Sequence, residues 1–236
     1  RLAYSVMGVK DIDRVMMVQF HQSYSYEDFI MGFRPSTTGF ELKKGAFYNF
    51  CKKAEIDSDN DYFFIIDEIN RGNLSKIFGE LFMLNDKRGI ELQLLYSDEK
   101  FAVPANVYII GMMNTADRSL AMLDYALRRR FAFFEIKPGF ETDGFREYKM
   151  SLDNDKFNKL INCVEKLNSV IASDESLGEG FCIGHSYFCN FEADKIDNEC
   201  LYGIVEYELI PLLKEYWFDE PTKVKDWSNN LRSAVK

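Results

Sequence analysis

No apolar run in this 236-residue chain approaches the roughly 20 residues that cross a bilayer, and the start Arg1-Leu2-Ala3-Tyr4 lacks the pattern of a secretory leader. With neither signal present, the chain reads as cytoplasmic. An excess of positive charge is missing too. The 29 Lys and Arg face 38 Asp and Glu, a formal charge of -9, which disfavours nonspecific attraction to nucleic-acid phosphate. Contact with DNA is therefore expected from a different segment. Five scattered cysteines are an odd number, and they fit reduced thiols better than a disulfide framework. No internal repeat, coiled-coil heptad or low-complexity linker occurs, which removes solenoids and long coiled coils from consideration.

What the chain does have is length and apolar content for a substantial core. At 47% hydrophobic residues it accommodates one large domain, or a core domain with a smaller appendage. The most informative stretch is Tyr62-Phe63-Phe64-Ile65-Ile66-Asp67-Glu68-Ile69-Asn70-Arg71, where an apolar run stops at two adjacent acids. Five such residues suit a buried parallel strand, whereas the acids after them must be solvated, paired or bound to a cation. A strand that simply ends in a polar turn is one reading. The other is a nucleoside triphosphatase, in which Asp67 holds Mg²⁺ through its waters while Glu68 polarises the attacking water.

Along the chain, 15–20 reads as a strand, 27–31 as a short helix, Pro35 and Gly39 as markers of a loop, and 46–54 as an amphipathic helix. Asn73 is placed to cap a helix with Leu74, Ile77, Phe78, Leu81 and Phe82 on its apolar face. A hairpin is expected between 91–96 and 101–103, then a buried strand over 107–112, a helix over 120–129 and a further strand over 132–136. Strands alternating with helices imply an α/β layer whose ligands sit beyond the carboxyl ends of a mostly parallel sheet. From about Pro138 helical periodicity takes over, clearest over 157–171 and 201–218, the second expected to kink at Pro211. The expected division is therefore 1–138 for the α/β core and 139–236 for a helical lid.

Asn114 follows a buried strand directly, as Asp67 and Glu68 do, so the three converge on one crevice if their strands are neighbours. An amide there positions water or contacts a terminal phosphate without adding charge; a turn-forming Asn is the plainer alternative. Arg128, Arg129 and Arg130 are three successive guanidinium groups that cannot share one face. Helix-dipole complementation explains one readily, and a bidentate phosphate contact, including one to a neighbouring subunit's nucleotide, explains another. Arg71 and Arg118 have the same choice between phosphate and their acidic neighbours Glu68 and Asp117. Cys182, His185 and Cys189, with Cys200 as a fourth, have a spacing in which a zinc site can be written, but Phe181, Tyr187 and Phe188 favour ordinary packing. Asp98, Glu99 and Lys100 vaguely suggest an acidic metal site, for which an exposed hairpin turn is the better explanation.

The runs Val18-Gln19-Phe20-His21-Gln22-Ser23-Tyr24-Ser25-Tyr26-Glu27-Asp28-Phe29, Ile66-Asp67-Glu68-Ile69-Asn70-Arg71, Met113-Asn114-Thr115-Ala116-Asp117-Arg118-Ser119, Tyr125-Ala126-Leu127-Arg128-Arg129-Arg130-Phe131 and Gly184-His185-Ser186-Tyr187-Phe188 resemble the McrB family of GTP-dependent AAA+ motors in restriction systems. The resemblance runs along nearly the whole chain. It implies an AAA+ P-loop NTPase core followed by a small helical lid. It makes Asp67 and Glu68 the Walker B acids with Mg²⁺ as cofactor, Asn114 the sensor amide, and Arg129 and Arg130 the leading trans-acting fingers. With GTP as the substrate the resemblance implies, Arg71, Asp117, Arg118 and His185 are further nucleotide-binding candidates, and a histidine packed beside Tyr187 and Phe188 is the equal alternative for His185. The resemblance further implies a homo-oligomeric ring, a hexamer, an McrC-type nuclease partner, and DNA reading by a separate N-terminal domain.

One departure is large. No Gly-x-x-x-x-Gly-Lys-Ser/Thr loop occurs, so the backbone cradle and lysine that hold phosphates are absent, together with the strand that leads into them. The start of the chain resembles the helix just after that loop, so the polypeptide reads as a fragment, expected to leave a gap or exposed edge in its sheet and to turn over no GTP alone. A catalytically silent assembly subunit is the alternative in a different class.

Overall fold

Three apolar runs, Val15–Gln19 (β1), Tyr62–Asp67 (β4) and Val107–Gly111 (β7), pair in parallel in the order β1-β4-β7. The computed structural model in which they do so describes residues 1–81, 89–114, 128–193 and 196–236. These fall into two units, Arg1–Phe133 and Phe134–Lys236.

In the first unit, the register sets Val15 beside Phe63, Gln19 beside Asp67, and Ile66 beside Gly111. Phe64 and Ile66 alternate onto one sheet face, where both are fully buried. That face is covered by helix α3 (Ala46–Ile56) and helix α4 (Leu74–Phe78). Aromatic rings dominate the contact. Phe29 stacks on Phe47 at 4.7 Å between centroids and Phe47 meets Phe64 edge-on at 5.0 Å, each buried ring contributing about 1.5–3 kcal/mol. Short helix α2 (Tyr26–Phe29) brings Phe29 there from a Ser25–Asp28 capping box. Asn73 caps α4 as its sequence predicts, its Oδ1 accepting the Lys76 amide at 3.1 Å. Helix α1 (Leu2–Met7) precedes the sheet. The hairpin expected near 91–103 is present but shorter, as β5 (Leu92–Gln93) against β6 (Lys100–Phe101).

Two expectations, one in this unit and one at its boundary with the second, are corrected. The segment marked as a loop by Pro35 and Gly39 is an antiparallel hairpin, β2 (Met31–Ser36) with β3 (Gly39–Lys44). Pro35 sits opposite Phe40, tolerated because both strands of a two-stranded ribbon are edges and a proline there need not donate. Residues 132–136 form no strand. Phe134 is 90% exposed and Ile136 84%, and a β-rich sequence with no neighbouring strand among the described residues to take its hydrogen bonds has nothing there to hold it extended in a sheet. Among the described residues β7 likewise pairs on one side only, with β4. The helix expected over 120–129 lies almost wholly outside the described residues, as does Phe82.

The second unit is helical: α5 (Asp143–Leu152), α6 (Asp155–Ser173), α7 (Asn198–Ile204), α8 (Ile210–Tyr216) and α9 (Pro221–Val235). Asn154 caps α6 by accepting the Phe157 amide at 2.9 Å. From there Phe157, Leu160, Ile161, Val164, Leu167 and Ile171 recur at three- and four-residue spacing along its buried side. The break expected at Pro211 takes the form of a π-helical turn, Val205–Leu209, between α7 and α8. Proline lacks an amide hydrogen, and a wider turn just before it accommodates the missing bond.

Asp174, directly after α6, ties this unit together. Its carboxylate accepts from Lys223 Nζ at 2.6 Å, Trp217 Nε1 at 2.8 Å and Ser176 Oγ at 2.7 Å. Lys223 foremost, then Ser176 and Trp217, hold its pKa well below the usual carboxylate range. A depressed folded-state pKa means stability that is present above the unfolded value of about 4 and lost progressively as pH falls below it. Both tryptophans of the chain, Trp217 and Trp227, lie in this unit, so their fluorescence follows it. Asp174→Asn is expected to destabilise the unit by about 2 kcal/mol at neutral pH, with the difference from wild type shrinking below pH 4 in fluorescence-monitored urea unfolding.

Candidate active site

The end of β4 is fixed from both sides. Phe20 donates its amide to the Asp67 carbonyl at 2.9 Å, Met112 donates to Ile66 at 2.8 Å, and Ile69 donates to Met112 at 2.9 Å. The last two bonds carry the β4–β7 pairing past the strands themselves. Asp67 and Asn114 therefore leave the sheet on neighbouring strands at the same, carboxyl, end, where an open α/β sheet offers its crevice. Between the acids the chain bends sharply. Glu68 adopts a left-handed conformation, φ 52° and ψ 44°, which costs a non-glycine residue about 1–2 kcal/mol. A single 3₁₀ turn, Ile69–Arg71, follows.

The polar groups around this bend are mostly intermediate in exposure. Asp67 Oδ1 accepts the Glu68 amide at 3.1 Å. Arg71 Nε stands 3.0 Å from Glu68 Oε2, with the Glu68 side chain 23% exposed, but off the hydrogen-bond line, so that buried oxygen has no hydrogen-bond donor. Asn70 Nδ2 donates to the Asn114 carbonyl at 3.4 Å. A backbone carbonyl only accepts, so the amide nitrogen must face it and Oδ1 must face the other way. That Oδ1 is also buried without a hydrogen-bond partner. Asn70 Oδ1 calls for a donor and Glu68 Oε2, ion-paired with Arg71, accepts no hydrogen bond; water or the hydration shell of a cation can donate to both. The donor set therefore fits water-mediated Mg²⁺ beside Asp67.

Of the residues singled out in the sequence, the structure brings together Asp67, Glu68, Arg71 and Asn114. Arg71 faces Glu68 at the ion-pair distance above, one of the two options left open for it. Arg128 lies with its guanidinium 5.8 Å from the Phe133 ring centre, Arg129 is exposed and Arg130 is half-buried. Asp117 and Arg118 lie outside the described residues. His185 belongs to the helical unit, where its Nδ1 accepts the Gly139 amide at 2.9 Å and its ring packs against Phe140 and Phe145.

No group of three or more His, Cys, Asp or Glu suited to a metal occurs among the described residues. The Cys182 and Cys189 thiols donate instead to the carbonyls of Asn168 and His185. Glu99 anchors the β5–β6 hairpin by accepting from Lys44 and Tyr48.

Two residues were given no role from the sequence. Asn70 was read only as part of a motif, and its polar side chain three positions after the strand-ending Asp67 was the available signal. Gly111 ends β7, and a Cβ there would stand 2.6 Å from Ile69 Cδ1. A glycine inside an apolar strand often marks such close approach. Gly111→Val is expected to push Ile69 and the bend it anchors, destabilising the first unit by about 1–3 kcal/mol. Amide NMR shifts at Glu68 to Arg71 should move, while those of α6 stay unchanged.

Comparison with known proteins agrees with this architecture. Residues 4–131 match the family model described as AAA domain (dynein-related subfamily), and residues 159–225 match that of the McrB alpha-helical lid domain. The type IV methyl-directed restriction enzyme EcoKMcrB subunit of Escherichia coli K12 is 52% identical over 243 aligned residues, covering 98% of this chain and 53% of the relative. The YdiS component of type II restriction enzyme BsuMI from Bacillus subtilis 168 is 26% identical over 89% of this chain and 68% of its own length. The chain thus spans about half the length of the E. coli relative. A solved structure from Cytophaga hutchinsonii, 16% identical, covers 68% of this chain and 51% of its own with a TM-score of 0.35, a likeness too loose to bear on function.

Proposed function

The chain belongs to the AAA domain family, dynein-related subfamily, with the helical lid of the McrB type, and from that premise we propose that its parent protein is the GTP-hydrolysing motor of a modification-dependent restriction system. The observation that carries this reading is the delivery of Asp67, Glu68 and Asn114 to one end of adjacent parallel strands. Asp67 would hold Mg²⁺ through water, and the ion would neutralise charge on the phosphates. Glu68 takes up the proton of the attacking water, its Oε2 accepting no hydrogen bond while Arg71 Nε stands 3.0 Å away and holds it in place. Asn114 orients the water or the terminal phosphate, with Asn70 tying its backbone to the acidic bend. Arg129 or Arg130 would reach a neighbouring protomer's nucleotide in a homo-oligomeric ring, taken as a hexamer, and Asp117, Arg118 and His185 complete the nucleotide's surroundings in this reading. GTP as substrate, an McrC-type nuclease partner, a DNA-reading N-terminal domain and a cytoplasmic location belong to the same proposal and rest on the family relationship. The adjacent acids at the strand end and the buried Asn70 Oδ1 beside them, which has no hydrogen-bond partner, favour this enzyme over a silent assembly subunit, since a scaffold has no use for them.

The test is turnover by the parent protein, with GTP and ATP compared in the presence and absence of the nuclease partner. Glu68→Gln is expected to lower kcat by about a hundredfold or more while leaving nucleotide binding nearly intact. Since the 236-residue chain contains no Gly-Lys phosphate loop, it should show no measurable turnover alone. Glu68-dependent hydrolysis by that chain would overturn its expected inactivity alone, and undiminished turnover in the Glu68→Gln parent would refute the assignment.

A further inference from the structure

The Asp67 carboxylate is only half held. Its Oδ1 accepts the Glu68 amide at 3.1 Å, and no donor reaches Oδ2 among the described residues. A carboxylate that serves a metal is ordinarily fixed by hydrogen bonds of its own, which set its orientation toward the ion and its waters. The two strands that flank β4 determine which side chain can supply the second bond.

β1 ends at Gln19, which stands level with Asp67 in the parallel register, and neighbouring strands lie about 4.8 Å apart. Met16, Val18 and Phe20 turn toward the aromatic core, so Gln19 turns to the opposite sheet face. Asp67 leaves on that same face, because Phe64 and Ile66 point into the core. On the other flank, Met112 follows the residue paired with Ile66, and its thioether donates nothing. Gln19 is therefore the side-chain donor that the flanking strands set level with Asp67. It is exposed, and its amide makes no hydrogen bond among the described residues. An uncharged amide suits the position, since it can steady a carboxylate without repelling a cation as lysine or arginine would.

We propose that Gln19 is a positioning residue for Asp67, its Nε2 donating to Oδ2 and aiming the carboxylate at the water of hydrated Mg²⁺. The inference rests on the nucleotide reading above and extends it to a residue that reading leaves without a role. In this position Gln19 touches neither the nucleotide nor the attacking water. Its loss therefore changes how much Mg²⁺ the site requires and leaves the speed of the loaded site nearly unchanged.

The test is equilibrium binding of a fluorescent, nonhydrolysable GTP analogue to the parent protein as Mg²⁺ is titrated, with kcat measured at saturating Mg²⁺. Gln19→Met keeps the length of the side chain and removes the amide. It is expected to raise the half-saturating Mg²⁺ concentration by about tenfold, with kcat at saturation within about twofold of wild type. Gln19→Asn retains an amide and should stay within about threefold of wild type in both measurements. Asp67→Asn is the control for the nucleotide reading and should remove most of the Mg²⁺ dependence. Gln19 is exposed, so each variant is expected to melt as wild type does. A Gln19→Met protein that titrates as wild type, while Asp67→Asn loses its dependence, makes Gln19 a solvated strand end and overturns the proposal with the nucleotide reading intact. Equal shifts in the Met and Asn variants also overturn it, because the amide is then not what acts. So does a fall in kcat at an unchanged Mg²⁺ requirement, which places Gln19 at the reacting water. Binding that ignores Mg²⁺ in the wild-type parent, or a dependence that survives Asp67→Asn, takes the ion away from Asp67 and overturns both.

Discussion

Parallel pairing between β4 and β7, continued beyond the strands by the Met112–Ile66 and Ile69–Met112 bonds, is the constraint on which the site depends. Asp67 alone would be a carboxylate at the end of a strand. Because the ladder runs on to Ile69, the left-handed Glu68, the 3₁₀ turn and the chain leading to Asn114 are held as one body. The strain at Glu68 is sustained by those bonds and by the aromatic layer beneath them, where Phe29, Phe47, Phe64 and Phe78 lock the sheet to its helices. Stability of the core and placement of the acids are in this sense a single property.

The two units use different means of stabilisation. In the first, polar groups mostly link elements across the core's rim, as where Tyr26 and Tyr96 donate to Glu80 and Glu27 at 2.6 Å each. Burial and the Glu80 carboxylate push the Tyr26 hydroxyl well above its usual pKa, so it remains a donor throughout the physiological range. In the second, helix packing supplies the core, and ion pairs such as Asp174 with Lys223 and Glu206 with Arg232 fasten helices distant in sequence. Partly buried, multiply bonded pairs of this kind contribute more than isolated surface pairs do.

Legibility from the sequence followed the reach of the interactions involved. The strand ending at Asp67 is written in one local apolar run, the α4 cap in Asn73, and the long α6 in a repeat of apolar residues. Asp67 and Asn114 each stood out for the same local reason, a polar residue at the end of a buried strand. The β2–β3 ribbon was not legible, because Pro35 and Gly39 look like loop punctuation until Phe40 is found opposite Pro35. Residues 132–136 have strand composition and no strand, since pairing is a property of two segments and composition belongs to one.

The sequence by itself determined where polar chemistry interrupts apolar strands, which helices have caps and periodic faces, and that a phosphate-binding loop is not among its motifs. Those are short-range properties, settled within a few residues by propensity and burial. Tertiary structure alone decided that the two acid- and amide-bearing strands are neighbours, that Asn70 turns its oxygen inward unpartnered, and that Gly111 leaves room for Ile69. Each of these depends on contact between segments some 40 residues apart, and no local pattern encodes which distant backbone will arrive.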